Sequence, residues 1–342
     1  MSIQFDKILV RHWVRSHATQ VNRFFDKKHI VKKDFRIYYV KIGDSIHVDA
    51  LKSSNYTVYS EYVSTSNQFE HTETTFKKLL VEWDPQKLQK IDITYDGNDF
   101  YVSNGVHRLA ILYILNGPRA QVPLDMLNIQ YPKSAIDAVE TALKSTKALA
   151  HYNGWANSRT DYGYHSFNLF NLNFTGQRNP LQRLTKMREH YDFKDKTVVD
   201  IGCNSGGMLF HLLEIKQGLG IDFDKNCIAA CETIKQNLHV FDHLHFQEHD
   251  LDKDDNADIL QSIRPDVILL LSMGSWVKNW RELYELVLEQ RAVIFLETNN
   301  DKEGLPQLCF FEEKGCQITL VSDKSDDDST GNFTRKMYVI CR

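Results

Sequence analysis

At 342 residues the chain exceeds what one ordinary core requires, and about 150 residues per domain suggests two. Hydrophobic residues at 42% and charged residues at 25% exclude a disordered or fibrous chain, and no apolar run nears the roughly 20 residues of a membrane span. With 45 Asp and Glu against 41 Lys and Arg the net charge is -4, which argues against sequence-independent wrapping of nucleic acid while leaving room for a local basic groove.

The amino-terminal stretch has neither an uninterrupted apolar segment nor a small-residue cleavage site, so a cytoplasmic protein is expected. Cys203, Cys227, Cys231, Cys309, Cys316 and Cys341 form no CxxC pair and read as reduced thiols, with no disulfide framework and no metal site.

The first third reads as mixed α and β, with an amphipathic segment over 8–25 and a strand-like run over 36–42. Phe76, Leu79, Leu80 and Trp83 have helical spacing, which Asp84-Pro85 breaks. Residues 91–95 alternate like a strand, Asp96-Gly97 turns the chain, and 100–103 form a second strand. After Asn104-Gly105 the run 107–115 is long enough for a buried helix, ended by Asn116-Gly117-Pro118.

From 133 to about 189 the pattern turns helical, then polar and aromatic, with Trp155, Tyr162, Tyr164, His165, Phe167 and Phe170 crowded together. The junction is placed near residue 150, giving a first domain over 1–150, a lead-in over 151–185 and a second domain over 186–342. In the second, short apolar strands at 197–201, 217–221, 244–249, 266–271 and 291–297 alternate with helical segments, the pattern of a parallel, doubly wound sheet. Two last strands, 317–321 and 336–341, are joined by an acidic loop and are expected as an antiparallel hairpin at one edge. Asp326-Asp327-Asp328 within that loop reads as solvated.

Val198-Val199-Asp200-Ile201-Gly202-Cys203-Asn204-Ser205-Gly206-Gly207 is a buried strand running into a glycine-rich turn and a helix. Asn204 stands where a dinucleotide's pyrophosphate would need glycine, so a ligand without pyrophosphate fits better. Asp222 ends the next strand, about 20 residues on, where a carboxylate can take both hydroxyls of a ribose. His249-Asp250-Leu251 ends the third, offering an acceptor for an adenine amino group and an apolar neighbour for its ring.

These residues resemble the class I S-adenosylmethionine-dependent methyltransferases, over residues 186–342. The resemblance implies a Rossmann-like, seven-stranded α/β domain that binds S-adenosylmethionine. Asp200 would then help hold the cofactor, with Gly202, Cys203, Asn204 and Gly206 at the methionine part, Asp222 at the ribose, Asp250 and Leu251 at the adenine, and Ser272 to Trp276 toward the methyl group. Tyr164, His165 and Arg178 look like the lead-in of a subset acting on sugar-phosphate or tRNA acceptors, where a Tyr-His and an Arg close over the cofactor. Arg178 suits a fork onto the cofactor carboxylate, and His165 a general base or acceptor-orienting group. Arg335, before a last strand resembling that of phosphate-methylating enzymes, would hold an anionic acceptor, with Trp276 beside it.

In the first domain, Asn104-Gly105-Val106-His107-Arg108 resembles the strand, D-G-x-H-R, helix turn of the ParB and sulfiredoxin superfamily, with Asn104 where Asp is usual. That implies a smaller α+β domain whose His107 and Arg108 receive phosphate oxygens, with ATP and Mg2+ as ligands if it is a kinase and Glu61, Asp96 or Asp99 as carboxylates. No phosphate-binding G-x-x-x-x-G-K-[ST] loop occurs. The preferred reading is an O-methyltransferase acting on a sugar or phosphate oxygen of a glycan, whose first domain binds or phosphorylates the acceptor, in logic similar to the kinase-methyltransferases that terminate O-antigen chains. The alternative is a tRNA or other nucleic-acid methyltransferase with a ParB-like nucleic-acid-binding module, which the net charge weakly opposes.

Overall fold

The computed structural model describes residues 2–13, 24, 26–34, 36–66, 73–84, 89–118, 121–146, 162–274, 276–329 and 333–342. The chain divides into two compact units, Ser2–Pro132 and Lys133–Arg342.

The first unit runs β1 (Ser2–Gln4), β2 (Ile8–Trp13), β3 (Ile30–Asp34), β4 (Ile37–Lys41), α1 (Ile46–Ser53), α2 (Thr57–Ser66), α3 (Glu73–Val81), β5 (Ile91–Tyr95), β6 (Phe100–Asn104), α4 (Val106–Asn116), β7 (Gln121–Pro123) and β8 (Leu127–Gln130). Six strands form one mixed sheet in the order β3-β4-β2-β6-β5-β8, and β1 pairs with β7. The alternation read over 91–95 is borne out: Ile91, Ile93 and Tyr95 point inward while Asp92 and Thr94 are half-buried. Residues 8–13 of the amphipathic segment are strand β2; 14–23 and 25 lie outside the described residues.

The second unit begins with α5 (Lys133–Ser145), a hairpin of β9 (Phe167–Leu169) and β10 (Leu172–Phe174), and α6 (Pro180–Arg188). Then β11 (Thr197–Ile201), α7 (Gly207–His211), β12 (Gln217–Asp222), α8 (Lys225–Leu238), β13 (Leu244–Glu248), α9 (Asn256–Ile263), β14 (Val267–Leu271), α10 (Trp280–Glu289), β15 (Val293–Glu297), α11 (Asp301–Glu313), β16 (Gln317–Ser322) and β17 (Met337–Cys341) follow. Seven strands make one sheet, β13-β12-β11-β14-β15-β17-β16. The first five are parallel; β17 lies antiparallel between β15 and the edge strand β16. All five residues of β11 are buried, as a central parallel strand covered on both faces requires. Strand order reverses at β11, whose neighbours are β12 and β14, so the crevice beyond its carboxyl end is where such a sheet takes a ligand.

The unit boundary falls between Pro132 and Lys133 rather than near residue 150. The reason is α5, whose buried Val139, Ala142 and Leu143 form one face that packs along α8. Leu143→Ala is expected to lower the stability of the Lys133–Arg342 unit by about 2–5 kcal/mol. Cutting the chain after residue 150 should cost more. Urea unfolding checks both, and undiminished stability without α5 would return the boundary to residue 150.

Candidate functional site

Nine residues singled out in the sequence line one cavity of about 260 Å³ in the Lys133–Arg342 unit. Gly202, Asn204, Asp222, Asp250 and Leu251 come from the ends of β11, β12 and β13; Ser272 and Trp276 follow β14; Arg335 precedes β17 and Tyr164 precedes β9. Met273, within the predicted 272–276 segment, also lines it, as do Phe223, Val277 and Asn299, which were not singled out. Phe223 and Trp276 remain 62% and 55% exposed, so two aromatic side chains reach solvent beside the cavity.

The turn after β11 needs its glycines. Gly202 and Gly206 have φ of +78° and +72°, and a Cβ on Gly206 would meet Phe246, Phe210 and Cys231 at 2.8–3.0 Å. A Cβ on Gly207 would strike the His165 ring at 2.5 Å. At Gly202 the same atom would meet only the Met273 Cβ, at 3.6 Å, which leaves that stretch of main chain open to the cavity.

Asp222 braces the turn while facing the cavity. Its Oδ2 accepts from the Asn204 amide at 2.8 Å and its Oδ1 from the Asp224 amide at 3.0 Å. Burial raises its pKa above the ordinary aspartate value, against these amide bonds. Asp250 is more exposed, and its pairing with Lys253 lowers its pKa.

Five predicted site residues lie outside the cavity lining: His165, Arg178, Asp200, Cys203 and Gly206. Arg178 is completely buried and its fork is already committed. Nη1 and Nη2 donate to Glu297 at 3.0 and 2.9 Å, and Nε and Nη2 to Asp327 at 2.7 and 3.0 Å. Two carboxylates take the donors that the sequence reading reserved for a cofactor carboxylate. His165 is 3% exposed beneath Gly207, and burial together with Arg183 and Arg178 lowers its pKa well below the usual value. A base role is therefore replaced by packing, with a neutral ring. Cys203 is buried and its thiol pKa is pushed well up by burial.

The acidic loop is also corrected. Asp327 and Asp328 are 8% and 2% exposed, and only Asp326, paired with Lys186, keeps a half-open position. Gln177 Nε2 donates to Asp328 at 3.2 Å, and the Asn179 amide donates to the Asp327 carbonyl at 3.2 Å. The loop is drawn in because Arg178 and Arg183 are buried and need counter-charge. Glu297, at the end of β15, is the shared partner: Arg183 Nη2 lies 2.9 Å from its Oε2. Burial would raise the Glu297 pKa, but Arg183 and Arg178 outweigh it and hold it far below the usual range. Glu297 and Arg183 were not singled out, and Asp327 was read as solvated; an acid closing an otherwise apolar strand is the signal that marked Glu297.

Tyr164 joins this cluster to the cavity. Its hydroxyl accepts from Arg335 Nη1 at 2.9 Å and from Arg178 Nη1 at 3.3 Å, and Arg335 Nη1 also donates to Ser272 Oγ at 3.4 Å.

In the Ser2–Pro132 unit, Asn104, Gly105, His107 and Arg108 line a cavity of about 430 Å³ with His47, Tyr62 and Phe76. His107 Nε2 lies 2.5 Å from the Tyr59 hydroxyl, and Arg108 donates to the carbonyls of Gln89 and Lys90. Asn104 is suited to its place: its Nδ2 donates to Asp92 Oδ2 at 3.1 Å, where a second carboxylate would be repelled. Glu61, Asp96 and Asp99 do not line this cavity. Asp96 accepts from the Asn98 and Asp99 amides and pairs with Lys32, at the far end of β6 from Gly105, about 15–20 Å along an extended strand.

No family model and no curated protein matches the chain. Among solved structures, EvdMO1 is similar at 16% identity and a TM-score of 0.40, over 52% of this chain and 43% of its own. A SAM dependent methyltransferase from Aquifex aeolicus is similar at 15% identity and a TM-score of 0.37, over 48% of this chain and 91% of its own. The bifunctional kinase-methyltransferase WbdD is similar at 19% identity and a TM-score of 0.40, over 48% of this chain and 40% of its own. The chain thus spans less than half the length of EvdMO1 and WbdD. The mixed seven-stranded sheet is consistent with a Rossmann-like methyltransferase fold. Among the described residues no helix is long and apolar enough to cross a membrane.

Two expectations follow. Arg178→Met should destabilise the unit by about 3–5 kcal/mol in urea unfolding, because it leaves Glu297 and Asp327 buried without their partner; a loss below about 1 kcal/mol would show the cluster to be dispensable. Asp200, raised by burial to about 7, should make stability fall as pH rises. Its folded value exceeds the unfolded one near 3.9, so its contribution is complete below about pH 4 and lost by about pH 7, at up to about 1.4 kcal/mol per pH unit. Relative to Asp200→Asn, the wild type should lose stability across that window; parallel curves would contradict it.

Proposed function

We propose that the Lys133–Arg342 unit is an S-adenosylmethionine-dependent O-methyltransferase acting on a sugar or phosphate oxygen of a glycan. The observation that carries this reading is the convergence of an open glycine turn, Asp222 and Asp250 from three adjacent strand ends on one cavity.

The residues present fit the cofactor. Asp222 faces the cavity at the end of β12, where its carboxylate can accept from ribose hydroxyls besides the amides it already holds. Leu251 and Phe223 offer apolar surface for the adenine ring, and Asp250 an acceptor for its amino group. When bound, S-adenosylmethionine supplies an electrophilic methyl carried on a sulfonium. Toward β14 and β17, Trp276 gives a face for a sugar ring, and Ser272 and Arg335 give polar contacts that orient the acceptor oxygen.

On the same reading the Ser2–Pro132 unit binds an anionic part of the acceptor. Support comes from Gly105, at φ +90°, which caps α4 without a side-chain bond and leaves first-turn amides beside His47, His107 and Arg108 at the larger cavity. Phosphoryl transfer there is not part of the proposal, since the candidate carboxylates stand elsewhere.

Calorimetry with S-adenosylmethionine is the test. Binding is expected, and Asp222→Ala should weaken it by about 1–3 kcal/mol, roughly 5- to 150-fold. Absence of heat from the wild type at millimolar ligand would end the reading.

A further inference from the structure

We propose that Tyr164 is the general base of the cavity and that the acceptor is therefore a neutral hydroxyl rather than a phosphate. This rests on the methyltransferase reading above.

A phenol has one proton and two lone pairs. Both lone pairs of Tyr164 are taken, by Arg335 Nη1 at 2.9 Å and Arg178 Nη1 at 3.3 Å. The proton is left for a third direction, and Tyr164 is half-buried on the cavity wall. Once that proton is gone, the same position accepts one from a ligand.

The alternatives on this side of the cavity are already occupied. Ser272 donates to Glu297 and accepts from Arg335. His165 meets the Tyr164 ring edge to face at a centroid distance of 4.8 Å but is sealed beneath Gly207. Asp222, Asp224, His249, Asp250 and Asp252 line the cavity too, but from the carboxyl end of β12 and the segments after β12 and β13, across β11 from β14 and β17. Asp252 Oδ1 is further held by the Lys278 and Asn279 amides.

The surrounding charges favour the phenolate. Arg178, Arg335 and Arg183 face the ring from before α6, before β17 and within α6, with Glu297 the opposing carboxylate from β15. Burial would raise the Tyr164 pKa, but the three guanidiniums outweigh it and bring it below the usual tyrosine value. In the transfer, the acceptor O–H bond breaks and its proton goes to the Tyr164 oxygen. A carbon–oxygen bond forms to the methyl, the carbon–sulfur bond breaks, and its electron pair stays on sulfur. The phenol then returns the proton to water. A phosphate oxygen, already ionised, would need no such group.

The test begins without an acceptor. Phenolate absorbance of the full chain, wild type minus Tyr164→Phe, should titrate as one tyrosine with a midpoint below about 10, and Arg335→Gln should move that midpoint upward. With ligand bound, the cationic S-adenosylmethionine should lower the midpoint relative to the neutral S-adenosylhomocysteine. With a pool of neutral and anionic oligosaccharides, Tyr164→Phe should cut methyl transfer to sugar hydroxyls by about 100-fold or more while cofactor affinity stays within a few-fold. A midpoint at or above 10, equal midpoints with both ligands bound, or equal transfer by both proteins into phosphorylated glycans alone would overturn the proposal. Failure of calorimetric binding would instead remove the methyltransferase reading and this assignment with it, while the ligand-free titration still reports the phenol separately.

Discussion

Arg178 and Glu297 form the interaction on which the Lys133–Arg342 unit depends. An arginine with no exposed surface carries a desolvation penalty of several kcal/mol unless its donors are met, and here two carboxylates meet them in forks. The partners come from distant parts of the chain: the segment before α6, the carboxyl end of β15 and the loop between β16 and β17. One charge cluster thereby ties the lead-in, the sheet and the edge hairpin together beneath the cavity.

The cluster is balanced, since Arg178, Arg183 and Arg335 stand against Glu297, Asp327 and Asp328, all under 9% exposed. Balance explains how so much charge is tolerated inside a core. Its influence reaches the cavity through Arg335, shared between Tyr164 and Ser272. The buried network and the cavity wall thus share the same guanidiniums. Pre-organised charge of this kind acts on a bound group without needing to move when the group reacts.

The first unit solves a smaller problem in the same way. Asp92 accepts from Asn104 and from Asn128, fastening β6 and β8 to β5. Arg108 closes the chain before β5 by binding its carbonyls. The turn at Gly105 is thus held rigidly at the mouth of a cavity whose other walls are the rings of His47, Tyr62 and Phe76. A His and an Arg in a helix-opening turn serve the framework as well as the cavity.

Periodicity and short-range chemistry made much of this protein legible in its sequence. The strand and helix alternation, the glycine turn and the acids following β12 and β13 depend on neighbours within a few residues, where strand alternation and turn geometry act. Tyr164, Trp276 and Arg335 were also legible as cavity residues, through a resemblance. What the tertiary structure alone decided were the partners of charges. Nothing within ten residues of Arg178 distinguishes a ligand-binding fork from one closed by Glu297 and Asp327, 119 and 149 positions away. The same distance hid the burial of the acidic loop and made His165, adjacent to Tyr164, a packed ring rather than a base. Hydrophobic patterning is written locally, whereas the neutralisation of a buried charge is settled only when the chain has brought its counter-charge back to it.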